Sequence, residues 1–276
     1  MIELIKAVIF GIVEGITEWL PVSSTGHMIL LNAFMPMNVN ADFMDMFLVV
    51  IQLGAILAVV LTFWWQLWPF SSKKEEHFIK KDIWSMWFKV LVACIPAVVV
   101  ELLWGDQIEK VFYNYKVVSI MLILVGILFI IAELWNAKRK AKVNSIAELS
   151  YKAAFIIGMF QLVAAVFPGT SRSGATILGA LLIGVSRTTA AEFTFFLAVP
   201  VMFGASLIKV LEYGVSSFSG NELQILLIGM VVAFVVSMLI IRFLMGYIKK
   251  HNFIVFGWYR IILGTFVLLY FGLWVQ

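Results

Sequence analysis

Glu14 and Glu18 stand four residues apart near the start of an otherwise oily chain, within EGITEWLPVSSTGH (residues 14–27). A helix places side chains at i and i+4 on one face, so both carboxylates meet there. Like charges so placed repel, and burial raises the cost, so the pair must share a proton, hold a cation or face water. Ser23, Ser24 and Thr25 follow. Their hydroxyls suit the N-terminal cap of a following helix. Such an end gathers free N–H groups and the positive end of the helix dipole, a setting for an anion. His27 closes the stretch as a candidate proton carrier beside the carboxylates.

A second polar stretch, FPGTSRSGAT (residues 167–176), supplies what the first lacks. Its Arg172 is permanently charged and grips phosphate oxygens in pairs. Thr170, Ser171 and Ser173 set hydroxyls around it, and Gly169 and Gly174 let the backbone come close to a ligand. No Gly-Lys-Ser/Thr follows and no strand precedes, so this is not a nucleotide-binding phosphate loop. The combined inventory is a phosphate-cleaving set. The arginine and N–H groups bind oxyanions, Glu14 and Glu18 can hold a divalent cation, and a serine or the histidine can attack.

The elements that must position these residues are membrane helices. The 276 residues are 63% hydrophobic and 13% charged, with mean hydropathy +1.03. So little charge cannot cover a water-facing surface, which makes lipid the solvent for most of the chain. A net charge of +4 is too small to suggest nucleic acid and reads instead as a topology signal. The N-terminal apolar run is interrupted by Glu3, Lys6, Glu14 and Glu18, so no cleavable signal peptide is expected. The single cysteine, Cys94, reads as a small buried core residue.

Six stretches, near 43–65, 85–104, 116–136, 189–211, 223–246 and 254–275, are long enough to cross a bilayer as helices. Regions 1–36 and 151–186 are instead broken by Pro, Gly, Ser and Thr, and freed backbone groups cannot face lipid unsatisfied. Each is expected to form a re-entrant helix–turn–helix hairpin. Loops 71–83, 137–150 and 246–253 then share one face, with Lys73, Lys74, Lys80, Lys81, Lys138, Arg139, Lys140, Lys142, Lys249 and Lys250. The other face offers Lys110, with Lys116 and Lys209 at span edges. The basic face is expected to be cytoplasmic and both termini outside.

The two hairpins resemble each other at an offset of 147, pairing Gly11 with Gly158, Glu14 with Gln161, Pro21 with Pro168 and Ser24 with Ser171. The spans that follow match at an offset of 150, Gly54-Ala55 with Gly204-Ala205. The expected fold is therefore an all-α integral membrane protein, one membrane domain over 1–276. Residues 1–136 and 151–276 form its two repeats, each a hairpin plus three spans. Three is odd, so the repeats have inverted topology, an architecture that puts its site where broken helices meet at mid-membrane.

EGITEWLPVSSTGH and PGTSRSGAT together resemble the undecaprenyl-diphosphatase family, the bacterial bacitracin-resistance proteins. The likeness runs through IQLGAILAV (51–59) and AAEFTFFLAVP (190–200) to the whole chain. The resemblance implies removal of the terminal phosphate from undecaprenyl diphosphate, which recycles the lipid carrier for peptidoglycan synthesis and confers bacitracin resistance. It implies the acidic motif at Glu14 and Glu18, the histidine at His27, the hydroxyl stretch at Ser23, Ser24 and Thr25, and the phosphate-binding arginine at Arg172 beside Ser171 and Ser173. It also implies a Mg²⁺ or Ca²⁺ cofactor and a bacterial plasma-membrane location. The expected partners are a polyprenyl diphosphate and membrane lipid, with a homodimer as the candidate assembly and no nucleic acid.

Two assignments of the nucleophile stand open. Either Ser24 attacks phosphorus with His27 as proton shuttle, or His27 attacks and Ser24 binds. A transporter or flippase of a lipid-linked phosphate is the rival class, since inverted repeats with broken helices are also a transporter design. Gln52, Gln161 and Glu192 are expected in interhelical hydrogen bonds, and Glu101, Asp106 and Glu109 in solvent. Trp64, Trp65, Trp68, Trp84 and Trp87 are expected in an interfacial belt, and KKEEH (73–77) in a solvated loop.

Overall fold

A computed structural model describes residues 1–71, 79–214 and 217–273. Lys73, Lys74 and the rest of KKEEH lie outside the described residues. Among those described the chain is helical, with two isolated β-bridges and no strand. In chain order the helices are α1 (Ile2–Thr17), α2 (Ser24–Phe34), α3 (Ala41–Val50), α4 (Gln52–Thr62), α5 (Trp64–Leu67), α6 (Lys81–Phe112), α7 (Tyr115–Asn136), α8 (Tyr151–Val166), α9 (Arg172–Leu182), α10 (Arg187–Tyr213), α11 (Gly220–Ile248) and α12 (Ile254–Leu273).

Six segments are long and apolar enough to cross a membrane: α3 with α4 as Ala41–Thr62, then α6, α7, α10, α11 and α12. They coincide with the six expected from hydropathy. The first changes phase at Ile51, where the Gly54 N–H bonds the Ile51 carbonyl three residues back. α6 runs eight residues past the apolar stretch because Gln107, Glu109 and Lys110 are good helix formers that no longer need lipid. Its Glu101, Asp106 and Glu109 are exposed, as expected.

Regions 1–36 and 151–186 each form two short helices about a turn. α1 and α8 have 16 residues and α2 and α9 have 11. At 1.5 Å per residue the longer pair reaches about 24 Å, short of a hydrocarbon core of about 30 Å. The ends of the first region meet: Lys6 donates to the Pro36 carbonyl at 2.6 Å, and the Asn38 N–H to Glu3 at 3.0 Å. The far end of the second region meets the loop that leads into it, where the Lys142 N–H bonds the Gly184 carbonyl at 2.8 Å and the Ser186 N–H bonds the Val143 carbonyl at 2.9 Å.

Packing between the halves is reciprocal. α1 lies along α11, α8 along α6, and α7 along α12. Small residues make those approaches close. A Cβ on Gly11 would stand 2.6 Å from the Gly229 carbonyl oxygen, and one on Gly158 would strike the Ala93 backbone. Gly126 and Gly257 face each other across α7 and α12. Buried apolar side chains gather in one large cluster around α4, α6, α9 and α10 and a smaller one between α1, α3 and α11. Leu102, Leu211, Leu239 and Ile262 are exposed on the outer surface, as lipid-facing residues would be.

Candidate active site

The two turns between the short helices meet at Glu18. Ser23 and Ser171 are the non-glycine residues with positive φ among those described, at 73° and 69°. Such backbone costs about 1–2 kcal/mol for a residue with a Cβ, and its presence in both turns marks a geometry the surroundings enforce. Each serine is the N-cap of the next helix. Ser23 Oγ accepts from the Gly26 N–H at 3.4 Å and Ser171 Oγ from the Gly174 N–H at 3.2 Å.

This geometry makes Ser23 the counterpart of Ser171, one position earlier than the Ser24–Ser171 pairing suggested by sequence. The second turn holds one more residue between its proline and its cap, Pro168-Gly169-Thr170-Ser171 against Pro21-Val22-Ser23. Ser24 and Arg172 therefore occupy the same first position of α2 and α9. Both reach one carboxylate: Ser24 Oγ donates to Glu18 Oε2 at 2.7 Å, and Arg172 Nη2 to Glu18 Oε1 at 2.8 Å. The Glu18 and Arg172 side chains are 8% and 14% exposed, so the pair is largely removed from water. Arg172 is further held by the Thr194 carbonyl and Met202 sulfur, each at 3.3 Å.

Ser173 is committed elsewhere. It is buried, and its Oγ donates to the Glu18 carbonyl at 3.0 Å, tying the second turn to the first. Close approach at Gly169 and Gly174 is to protein. Gly169 has φ +89°, and a Cβ there would stand 2.5 Å from the Val118 carbonyl oxygen; one on Gly174 would stand 3.2 Å from Arg260 Nη1. Thr25 is half-buried at the second position of α2. Thr170 is buried with no partner for its hydroxyl.

Glu14 lies one turn before Glu18, 1% exposed, and neither of its carboxylate oxygens has a hydrogen-bond partner. Buried polar atoms are nearly always satisfied, so these oxygens call for a proton, a cation or a ligand. Gln161 is buried and equally unpartnered, in place of the interhelical bond expected of it. A hard divalent cation takes oxygen ligands and often only one or two carboxylates, substrate oxygens completing the shell. Glu14's free oxygens beside Glu18 fit that pattern. Among the described residues no group of three His, Cys, Asp or Glu converges into a complete protein cage.

His27 Nδ1 stands 2.7 Å from the Ser23 carbonyl and Nε2 2.6 Å from the Tyr259 hydroxyl. A carbonyl only accepts, so Nδ1 carries the hydrogen, and in the neutral form of the ring Nε2 accepts from the Tyr259 hydroxyl. The two rings lie parallel within 5°. Tyr259 was not among the residues singled out from sequence, nor was its neighbour. Arg260, fully buried on α12, donates to the Pro21 carbonyl at 3.2 Å and to the Gly169 and Thr170 carbonyls at 2.9 and 2.8 Å. An ionisable residue inside an apolar span was the available signal.

Comparison with known proteins places this chain in a family. A family model described as bacitracin resistance protein BacA matches residues 7–266. The chain belongs to that family. It is 61% identical over 272 residues to an undecaprenyl-diphosphatase of Desulfitobacterium hafniense, covering 99% of this chain and 97% of that protein. It is 60% identical over 270 residues to undecaprenyl-diphosphatase 1 of Clostridium acetobutylicum, covering 98% of each. An undecaprenyl-diphosphatase of Enterococcus faecalis is 57% identical over 269 residues, covering 97% of each. All the residues of the two turns, with Tyr259 and Arg260, fall inside the stretch matched to the BacA family.

Proposed function

We propose that the chain hydrolyses undecaprenyl diphosphate to undecaprenyl phosphate and inorganic phosphate at the meeting of the two turns. It is a multi-pass membrane hydrolase of the BacA family, and its relatives are phosphatases by name, which favours the enzyme over the transporter. The observation that carries the site is Glu18, whose two oxygens accept from Ser24 of one turn and Arg172 of the other. A carboxylate bonded to a serine hydroxyl is a base ready to take its proton, and an arginine beside it is ready for phosphate oxygens.

In this reading Ser24 Oγ attacks the terminal phosphorus as its proton passes to Glu18. The bond from that phosphorus to the bridging oxygen breaks, and undecaprenyl phosphate leaves with the bridging oxygen. Water then attacks the phosphoserine, gives up a proton and releases inorganic phosphate. Arg172 and the free N–H groups at the starts of α2 and α9 hold the non-bridging oxygens. His27 is held by Ser23 and Tyr259 through both ring nitrogens, which favours proton transfer through Tyr259 over nucleophilic attack. Glu14 and Glu18 would hold a Mg²⁺ or Ca²⁺ ion, which when bound supplies charge neutralisation for the phosphate oxygens.

The fold reading extends the same way. The meeting of residues 3–6 with 36–38, and of 142–143 with 184–186, supports two re-entrant hairpins entering from opposite faces. Reciprocal packing of α1 on α11 and α8 on α6 supports an inverted repeat of 1–136 and 151–276. The basic loops holding Lys80, Lys138, Lys140, Lys142 and Lys249 then face the cytoplasm.

The test is phosphate release from undecaprenyl diphosphate by detergent-purified protein, with and without EDTA, beside Arg172→Ala and Glu18→Ala. Release that needs a divalent ion and disappears in both variants is expected. No release by well-folded wild type across several divalent ions would overturn the phosphatase.

A further inference from the structure

Arg260 sits where the two turns come together and takes no part in the chemistry derived above. It lies seven residues into α12 and is completely buried. One Nη donates to the Pro21 carbonyl of the first turn, and the other to the Gly169 and Thr170 carbonyls of the second. A weaker contact at 3.5 Å reaches the Met121 carbonyl of α7. A planar fork with fixed donor directions can hold several carbonyls at once in a way that a flexible ammonium cannot. One guanidinium therefore fixes the separation of the two turns.

Its charge is as informative as its geometry. Arg172 is neutralised by Glu18, whereas Arg260 bonds neutral carbonyls and pairs with no carboxylate among the described residues. A buried charge without a counter-ion is costly, and a multiply charged anion nearby would relieve that cost. The peptides are all trans among the described residues, so a carbonyl turned toward Arg260 directs the N–H of the same peptide away from it. For Thr170 that N–H belongs to the positive-φ Ser171. Gly174, third in α9, leaves the room that Arg260 Nη1 needs; a side chain there would press on both Arg260 and Ser171.

We propose that Arg260 is a positioning residue of the diphosphate site: it staples the Pro21 turn to the Gly169–Thr170 turn and places behind both helix starts the buried positive charge that the ligand's phosphates balance. The inference rests on the phosphatase reading for the identity of the ligand. It does not require Arg260 to touch the substrate.

The experiment compares wild type, Arg260→Gln and Arg260→Lys. Calorimetry measures binding of inorganic diphosphate, the head group without a tail, and steady-state assays measure kcat and KM on undecaprenyl diphosphate. Gln removes charge and fork together, so Kd and KM are expected to rise about tenfold or more, with kcat falling at least as far. Lys restores charge without the fork, so Kd is expected within about threefold of wild type while kcat stays depressed by about tenfold. Melting temperature reports whether each variant is folded, and Lys serves should Gln fail to fold. A folded variant of either kind with wild-type Kd, KM and kcat would overturn the proposal. Wild type that binds inorganic diphosphate but releases no phosphate from the lipid would remove the phosphatase reading alone, and the Kd series would still judge Arg260.

Discussion

Glu18 is the residue on which the two turns depend, because each of its oxygens accepts from a different turn. Glu18→Gln keeps the shape but removes the negative charge that pairs with Arg172 and the basicity that the proposed step requires. Its kcat is expected to fall by about 10²–10³-fold, the range for losing one preorganised charge contact in an active site, as read by phosphate release. Ser24→Ala is a sharper case. If Ser24 is the nucleophile, turnover is expected to fall by about 10⁴-fold or more, whereas Tyr259→Phe, which removes only the hydroxyl bonded to His27, is expected to cost about 10²-fold. Appreciable turnover by folded Ser24→Ala would give the attack to His27. Glu14, Glu18, Ser24 and Arg172 are legible in the sequence as polar residues in oil, and the fold brings Ser24 and Arg172 together on Glu18. Tyr259 and Arg260 do not stand out in the sequence, because α12 as a whole is apolar enough to pass as an ordinary span. Only the fold reveals that its one arginine turns inward onto both breaks.

Between elements, the turns owe their shape to backbone features that composition hides. The two prolines and the hydroxyls announced a break in each hairpin. The extra residue after Pro168 carries no mark of an insertion, so the sequence pairs Ser24 with Ser171, whereas its counterpart at the helix start is Arg172. Left-handed φ at Ser23 and Ser171 depends on neighbours distant in sequence and leaves no periodic signal. Glycines show the same limit. Gly54 and Gly204 match at an offset of 150, yet a Cβ on Gly54 would strike the Met230 backbone while nothing lies within 4 Å of one on Gly204. Gly54→Ala is therefore expected to destabilise by about 1–3 kcal/mol through overpacking, and Gly204→Ala to stay within about 0.5 kcal/mol. Thermal denaturation of the two purified variants in one detergent checks the contrast. Equal melting temperatures would show that α11 yields at Met230.

Across the whole molecule, the proposed topology of six spans and two returning hairpins sets which loops share a face, and the charge count assigns the faces. Residues near Glu3 meet Asn38, while the Lys142 loop meets Gly184 at the opposite end of the bundle. The excess of lysine and arginine at the second end predicts that this end is the cytoplasmic one. Single cysteines make this measurable in intact cells, because Cys94 is buried and gives little background. A membrane-impermeant thiol reagent is expected to label Glu3→Cys and Lys110→Cys from outside and to reach Lys140→Cys only after permeabilisation. The first site is the discriminating one. If region 1–36 crossed the membrane completely, Glu3→Cys would be protected while Lys110→Cys stayed labelled. If both hairpins return, the two label together, and the turns bearing Ser24 and Arg172 approach the site from opposite faces of the membrane, each carrying one helix start toward Glu18.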